Sequence, residues 1–440
     1  MSEARNIELA PIMEKTGRFD MVVISPDDPE AMIRHSEVCR QEGIAFAADP
    51  SQKPGTRIKI DVKTLAEPGA TPSKSNGSRT IPKPAKATLS VPAGFTVNVF
   101  AEGLTNARNM IVASNGDVLL AEQNTGKITL LRDADGDGKA ELVTTFAGGF
   151  SIAYGLAIGK DALYVGDSEG AWRIPYKAGD TKATAPQVMI TPAGAFGSAG
   201  GHSTRTLTLS PDGTKLMVSI GSRGNLAEEP LPRATIQEFT LDAAGTKASN
   251  QRTFASGLRN AVGTAYYPGT SDLYTVVNER DTLGDELVPD YMTKVADNGF
   301  YGWPYSYIGQ HPQPGFADKR PDLVKKAIVP DVPFRSHSAP LGIAFYTATQ
   351  FPKEYQGGAF VALHGSWNAA IPRAYNVVYV PFENKKPVCD YIVFASGFWA
   401  GGDNQADVWG RPAGIAVAKD GSLLIADDES QTVWRVSYKN

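Results

Sequence analysis

The chain has 440 residues, of which 42% are hydrophobic and 20% charged, and a formal net charge of −4. That is an ordinary globular composition, with chain enough for a large core or two domains, and not the composition of a disordered protein. There is no basic stripe and no run of five like charges, which argues against nucleic acid as a partner.

Three zones then separate along the chain by composition. Residues 1–52 open with MSEARNIELAPIMEK, which lacks the basic-then-apolar layout of a signal peptide; the protein is expected to be cytoplasmic or to lack its export signal in this form. Helix-like patterning follows in DDPEAMIRHSEVCRQEGIAF, where Pro29 opens a helix, Met32, Ile33 and Val38 face a core, and Gly43 ends it. Residues 53–90 are rich in Pro, Ser, Lys and Gly and read as a linker or a strap over a surface. No stretch reaches membrane-spanning length, so no membrane span is expected. The two cysteines, Cys39 and Cys389, form no C-x-x-C or C-x-x-C-H motif, which argues against a disulfide framework, a zinc site and covalent haem.

From residue 91 to 440 the chain changes character. Short runs of Val, Leu, Ile, Tyr and Phe are punctuated by Gly and Pro, whose totals of 44 and 30 favour an all-β class over a helical one. One phrase recurs: an apolar strand, a tight polar turn, a second apolar strand, then a third. It is found in NMIVASNGDVLLAEQNTGKITLLRD, YGLAIGKDALYVGDSEGAWRIPY, TLTLSPDGTKLMVSIG, VGTAYYPGTSDLYTVVNERD, LGIAFYTATQFPKEYQGGAFVALHGSW and AGIAVAKDGSLLIADDESQTVWRV. A small antiparallel unit cannot bury both faces alone, so six copies predict a six-bladed β-propeller with a short α/β-like N-terminal extension, its ligand site at one end of the axis. A β-sandwich would need one meander and not six.

Residues just before the first strand of each phrase should gather near that axis. They include His202 with Arg205, Arg259 with Asn260, His337, and Arg411. Arginine holds planar carboxylates through paired hydrogen bonds, so a ring of them suits a polycarboxylate ligand, and a neutral histidine among them can serve as a base. The plainer reading is that each arginine braces a loop carbonyl; recurrence at one phase of the repeat favours the ligand. The segment 277–309 carries Glu279, Asp281, Asp285, Glu286 and Asp290 ahead of a Gly-Trp-Pro turn, equally readable as a calcium site or as an acidic loop before a structural turn. DADGDGKAE, 133–141, starts in EF-hand phase but has Thr144 at the twelfth position, and reads as a tight hairpin. HGSWN, 364–368, clusters His364, Ser366, Trp367 and Asn368 but is not a G-x-S-x-G elbow. Trp367 would wall a flat ligand or fill a gap between blades.

Together GGHSTRTLTLSPDG, GLRNAVG, NERDTLGDELVPD followed by GFYGWPYSY, HSAPLGIAFY, FVALHGSWN and GRPAGIAVAKDGSLLIADD resemble the sorbosone dehydrogenase family of pyrroloquinoline quinone (PQQ) enzymes, relatives of the soluble PQQ glucose and aldose sugar dehydrogenases, over roughly residues 91–438. The resemblance implies PQQ lying over the channel mouth with its carboxylates on arginines, and a Ca2+ ion held by carbonyls at the turn containing Gly302 and Pro304. It implies His202 as catalytic base, Arg259 and Asn260 on the quinone, Arg411 on a cofactor carboxylate, and His364, Trp367 and Asn368 lining the mouth. It also implies a sugar substrate, an external electron acceptor such as a quinone or cytochrome, and a periplasmic or secreted setting.

The likeness departs at Gly201, where the soluble glucose enzymes carry an aspartate before the histidine, and at HGSWN, which lacks their lysine. Both departures fit the sorbosone-type branch better than glucose. Residues 1–52 look like a fragment of a ribokinase-type carbohydrate kinase without a complete phosphate site. Two other functions stay open: a calcium-dependent lactonase on the same architecture, which would want carboxylate or Asn ligands on the axis, and a non-catalytic binding platform.

Overall fold

The computed structural model describes residues 21–23, 45–47, 53–198, 200–402 and 404–439. These residues are nearly all β, with one four-residue α-helix, Pro321–Val324, among them. None of their helices is long and apolar enough to cross a membrane. At the N-terminal end, Met21–Val23 pairs in parallel with Ala45–Ala47. The helix expected between them, Cys39 and the kinase-like reading of 1–52 lie outside the described residues.

Each of the six recurring phrases forms the inner strands of one antiparallel sheet. Sheet 1 runs Ala107–Val112, Val118–Glu122, Lys127–Arg132, Leu142–Gly148. Sheet 2 runs Gly155–Ile158, Ala162–Gly166, Ala171–Pro175, Val188–Met189. Sheet 3 runs Leu207–Leu209, Lys215–Ile220, Thr235–Leu241, Ala248–Ser256, with Gly299–Phe300 added in parallel at its edge. Sheet 4 runs Asn260–Tyr266, Leu273–Asn278, Pro289–Lys294, Val332–Ser336. Sheet 5 runs Pro340–Phe345, Ala359–Leu363, Asn376–Val380, Tyr391–Ala395, with Arg57–Ile58 at its edge. Sheet 6 takes Pro412–Val417, Leu423–Asp427 and Thr432–Tyr438 from the end of the chain, and its outer strand, Phe95–Ala101, from the start of the repeats.

Middle strands are buried on both faces, and their period of two sends alternate side chains to opposite neighbours. Leu119 packs toward Val165 of sheet 2, whereas Leu120 packs toward Leu424 of sheet 6. Val277 joins Ile236 of sheet 3, whereas Val276 joins Val361 of sheet 5. Separate cores thus fill the space between sheets 2 and 3, around Val218, and between sheets 5 and 6, around Phe360 and Trp434. The first strand of each sheet touches that of the next, and Pro412–Val417 touches Ala107–Val112. The approach is close: a Cβ on Gly414 would collide with the carbonyl of Arg108. Residues of all six first strands, among them Asn109, Leu156, Thr208, Thr264, Ile343 and Ile415, line a shared cavity of about 390 Å³.

Candidate functional site

In antiparallel sheets of this order, the loops between second and third strands emerge at the same end as the connections between sheets. His202, Arg259, His337 and Arg411 all stand at that end, just ahead of the first strands of sheets 3, 4, 5 and 6.

His202 is oriented by backbone. Its Nδ1 lies 2.8 Å from the Ser222 carbonyl oxygen and 3.1 Å from Ser222 Oγ. A carbonyl only accepts, so Nδ1 carries the proton and Nε2 keeps its lone pair. Gly201 has φ +67, and a Cβ there would run into the backbone of Arg223. No side chain fits at that position, and the Ser222 carbonyl does the orienting. Burial, and then the positive field of Arg259, push the ring down to about 4. His202 is therefore neutral near pH 7.

Arg259 is 5% exposed and is held on every side. It donates to the Asn225 carbonyl (3.1 Å), Asn225 Oδ1 (3.0 Å), the Glu279 carbonyl (2.6 Å) and Asp281 Oδ2 (3.3 Å). Asp281 also meets His337 Nδ1 at 3.3 Å and has Asn368 nearby. Burial alone would raise this carboxyl, but His337, Arg259 and Asn368 together hold it below the usual range. His337 is raised in turn: burial opposes its charge, yet Asp281, Asp290 and the Gly284 carbonyl, 3.1 Å from Nε2, outweigh it. Asn260 stands beside His202, each flanking Gly221, and its buried Oδ1 has no partner.

A second knot lies across the mouth. His364 Nε2 is 2.9 Å from Asp428 Oδ1, and Arg108 is 3.1 Å from the other oxygen. Burial, with Arg411 next in effect, brings His364 down to about 4; Asp428, buried but flanked by His364 and Arg108, stays far below the carboxylate range. Arg411 lies 5.6 Å over the Tyr375 ring and donates to the carbonyls of His364 (3.0 Å) and Gly365 (3.1 Å). The loop from His364 to Ala370 joins the knots, since the Ala370 N–H donates to both Asp285 oxygens at 3.0 Å. His202, Arg259, Asn260, Arg411, His364 and Asn368 therefore belong to one network, whose arginines each spend part of their fork on loop carbonyls. Trp367 stands on its rim, 51% exposed.

The expected metal turn differs. The Gly302 carbonyl accepts from the N–H groups of Tyr305 (2.8 Å) and Ser306 (2.9 Å), which uses both its lone pairs. That oxygen is thus engaged within the turn; Pro304 follows, behind Trp303, whose Nε1 donates to the Asn225 carbonyl. The 133–141 segment is a hairpin loop at the opposite end of sheet 1, where the carboxylates of Asp133, Asp135, Asp137 and Glu141 lie within 4.8 Å of one another. Glu141, not Thr144, completes that group.

Sequence reasoning missed Asn225, Arg108, Asp428 and Ser222. Asn225 lies in the opening stretch of a second-to-third strand loop, and Asp428 directly follows a second strand, so the repeat phase that found His202 would have found them if applied to both loop sets.

The family model described as TrAA12-like matches residues 89–298 and 313–439. The chain belongs to the TrAA12-like family. A PQQ-dependent pyranose dehydrogenase of Coprinopsis cinerea is 25% identical over 416 residues, covering 79% of this chain and 54% of that protein. An uncharacterized protein of Borreliella burgdorferi is 33% identical over 241 residues, 54% of this chain and 61% of that one. The TrAA12-like chain thus spans between half and two thirds of the curated relatives it matches. Among solved structures, the holo PQQ domain of the Coprinopsis cinerea pyranose dehydrogenase superposes with a TM-score of 0.68 at 20% identity, over 81% of this chain and 98% of that one. A calcium structure of a Trichoderma reesei family AA12 enzyme gives 0.65 at 18% identity, over 82% and 100%. These likenesses establish a shared fold.

The two lowered histidines give a pH expectation. A ring at about 4 stays unprotonated throughout the range above it, so at pH 6 His202 and His364 should be neutral and His337 charged. Ring 15N chemical shifts followed from pH 8 to 5 test this, and a His202 midpoint near 6.5 would refute it.

Proposed function

We propose that the chain is a PQQ-dependent oxidoreductase acting on an aldose or aldehyde sugar, built as a closed six-bladed β-propeller over residues 91–440, with 53–90 as a strap and 1–52 as a separate extension. The propeller is supported by six sheets with contacting first strands and by the pairing of Thr432–Tyr438 with Phe95–Ala101. The observation that carries the function is His202, neutral and with Nε2 unspent, beside Arg259 and Asn260.

A flat tricarboxylate quinone asks for cationic donors not already used. Arg205 is fully buried, yet only its Nη1 is bonded, to the carbonyls of His202 and Thr204; its Nε and Nη2 have no partner, nor do Nε of Arg108 and Nε of Arg233. That donor chemistry fits PQQ. A calcium ion at Gly302 would have to displace the N–H donors of Tyr305 and Ser306. PQQ, when bound, supplies the two-electron acceptor. Arg411 and the unspent donors would hold it, Asn260 would orient it, and Arg259, whose own donors are spent on Asn225, Asn278, Glu279 and Asp281, would lend positive charge beside it. His202 Nε2 would take the proton of the hydroxyl on the carbon being oxidised, as that carbon gives up its own hydrogen as hydride to the acceptor, and the ring is free to do so because Nδ1–H is tied to Ser222. Electrons would leave to an external quinone or cytochrome, and a periplasmic or secreted setting suits that chemistry.

Titrating the full chain with PQQ, with and without Ca2+, should change the quinone absorbance saturably and confer sugar-dependent dye reduction. Lactone hydrolysis with calcium alone, or no PQQ binding at all, would overturn the reading.

A further inference from the structure

Residues 53–88 precede the family match, yet they cross the mouth. Val62, Leu65 and Ala66 pack on the core between sheets 3 and 4, and Lys83 sits 4.6 Å over Trp434 of sheet 6. Between these anchors the chain bonds to the two loops that carry the site. The Gly69 N–H donates to the Leu283 carbonyl (2.8 Å); Ser73 Oγ and Thr71 Oγ1 accept from the N–H groups of Gly284 (3.0 Å) and Asp285 (2.8 Å). Asn76 then spans the second loop. Its N–H donates to the Trp367 carbonyl at 2.7 Å, and its amide donates to the carbonyls of Ala369 (3.0 Å), Ala370 (3.2 Å) and Asn404 (2.8 Å).

We propose that this strap is a working part of the site, with Asn76 and Thr71 as positioning residues that set the spacing between the acidic loop 281–286 and the loop 364–370. The chemistry of the contacts explains why. Asp281 stands on one loop and Asn368 on the other, near enough that Asn368 helps to hold the carboxyl low. Among the described residues, the direct hydrogen bonds between the two segments run from Ala370 to Asp285 and from Arg373 to Asp285 and Glu286. The strap clamps both from outside, through polar groups of short side chains and through backbone, which leave little slack. Gly284, held by Ser73, presents its carbonyl to His337, so the strap lies one residue from that ring as well. The strap thereby acts on the substrate side of the mouth, where Trp367 is exposed, and not on the arginines beneath.

The inference rests on the dehydrogenase reading for its effect on turnover, but not for its effect on the loops. Asn76→Asp keeps the shape and turns a donor toward carbonyls into an acceptor; Thr71→Val removes the second clamp if the first variant folds poorly. In the full-length, cofactor-free chain, hydrogen–deuterium exchange at 281–286 and 364–370 should quicken at least tenfold, with the sheets unchanged. The His337 ring, faced by Asp281, Asp290 and the Gly284 carbonyl, should titrate closer to 6.5 than in the parent. In PQQ-loaded enzyme, KM for sugar should rise several-fold with kcat changed less. Arg57→Ala, which breaks the exposed Arg57–Asp390 pair at the edge of sheet 5, should match the parent. Unchanged exchange in both variants overturns the proposal, as does faster exchange with the His337 midpoint and KM of the parent. A parent that binds no PQQ would defeat the dehydrogenase reading alone, since exchange and the His337 titration still decide the strap.

Discussion

His202→Ala should lower kcat for sugar-dependent dye reduction by roughly 10²- to 10⁴-fold, the usual worth of a positioned general base, while PQQ still binds. The expectation follows from where the ring's bonds go. Nδ1 is spent on Ser222, a residue that keeps its own bond from Oγ to the Gly224 carbonyl at 2.7 Å, so the variant loses the base without losing the turn that carries it. Arg205, one turn of chain away, still bonds the carbonyl of residue 202, which any side chain leaves intact. Cofactor absorbance on titration and initial rates under saturating PQQ separate the two effects. Full turnover in the variant would remove His202 from the reaction.

Arg259→Met should damage both binding and folding. The guanidinium neutralises Asp281, whose side chain is 12% exposed, and satisfies carbonyls of two loops. Removing it leaves Asp281 with His337 as its charged partner and strips the Asn225 and Glu279 carbonyls of a donor, a cost of about 1–3 kcal/mol. PQQ affinity should fall by on the order of a hundredfold, equivalent to about 2.7 kcal/mol. Arg259→Lys should recover only part of either, because an ammonium keeps the charge but not the fork that reaches Asn225 twice. Denaturant midpoints and PQQ titrations provide the measurements; parental values for both would mean that Arg259 is only a loop brace.

The sheets were legible because their physics is local. Val-Leu-Leu at 118–120 and Leu-Leu-Ile at 423–425 are continuous apolar runs, bounded by Asn-Gly and Asp-Gly turns, and such runs suit strands buried on both faces. The phase of the repeat placed His202, Arg259 and Arg411 at one end for the same reason. What was not legible depends on backbone partners far away in sequence. Nothing around His202 announces that Ser222 will offer a carbonyl, or that Gly201 is there because Arg223 leaves no room. The Gly302 turn looked ready to present oxygens, but its carbonyl folds back onto Tyr305 and Ser306. Residues 71–76 carry small polar side chains that composition reads as linker, and only their partners at Gly284, Asp285 and Trp367 reveal a route across the mouth.

Sheet 6 draws one strand from residues 95–101 and three from 412–438. During synthesis the early strand must therefore wait, its hydrogen-bonding edge unsatisfied, until Thr432–Tyr438, more than 300 residues later, has left the ribosome. Termination before Thr432 would leave Phe95–Ala101 without its partner, a template for pairing between molecules, which makes Thr432–Tyr438 a guard against aggregation as much as a piece of the core.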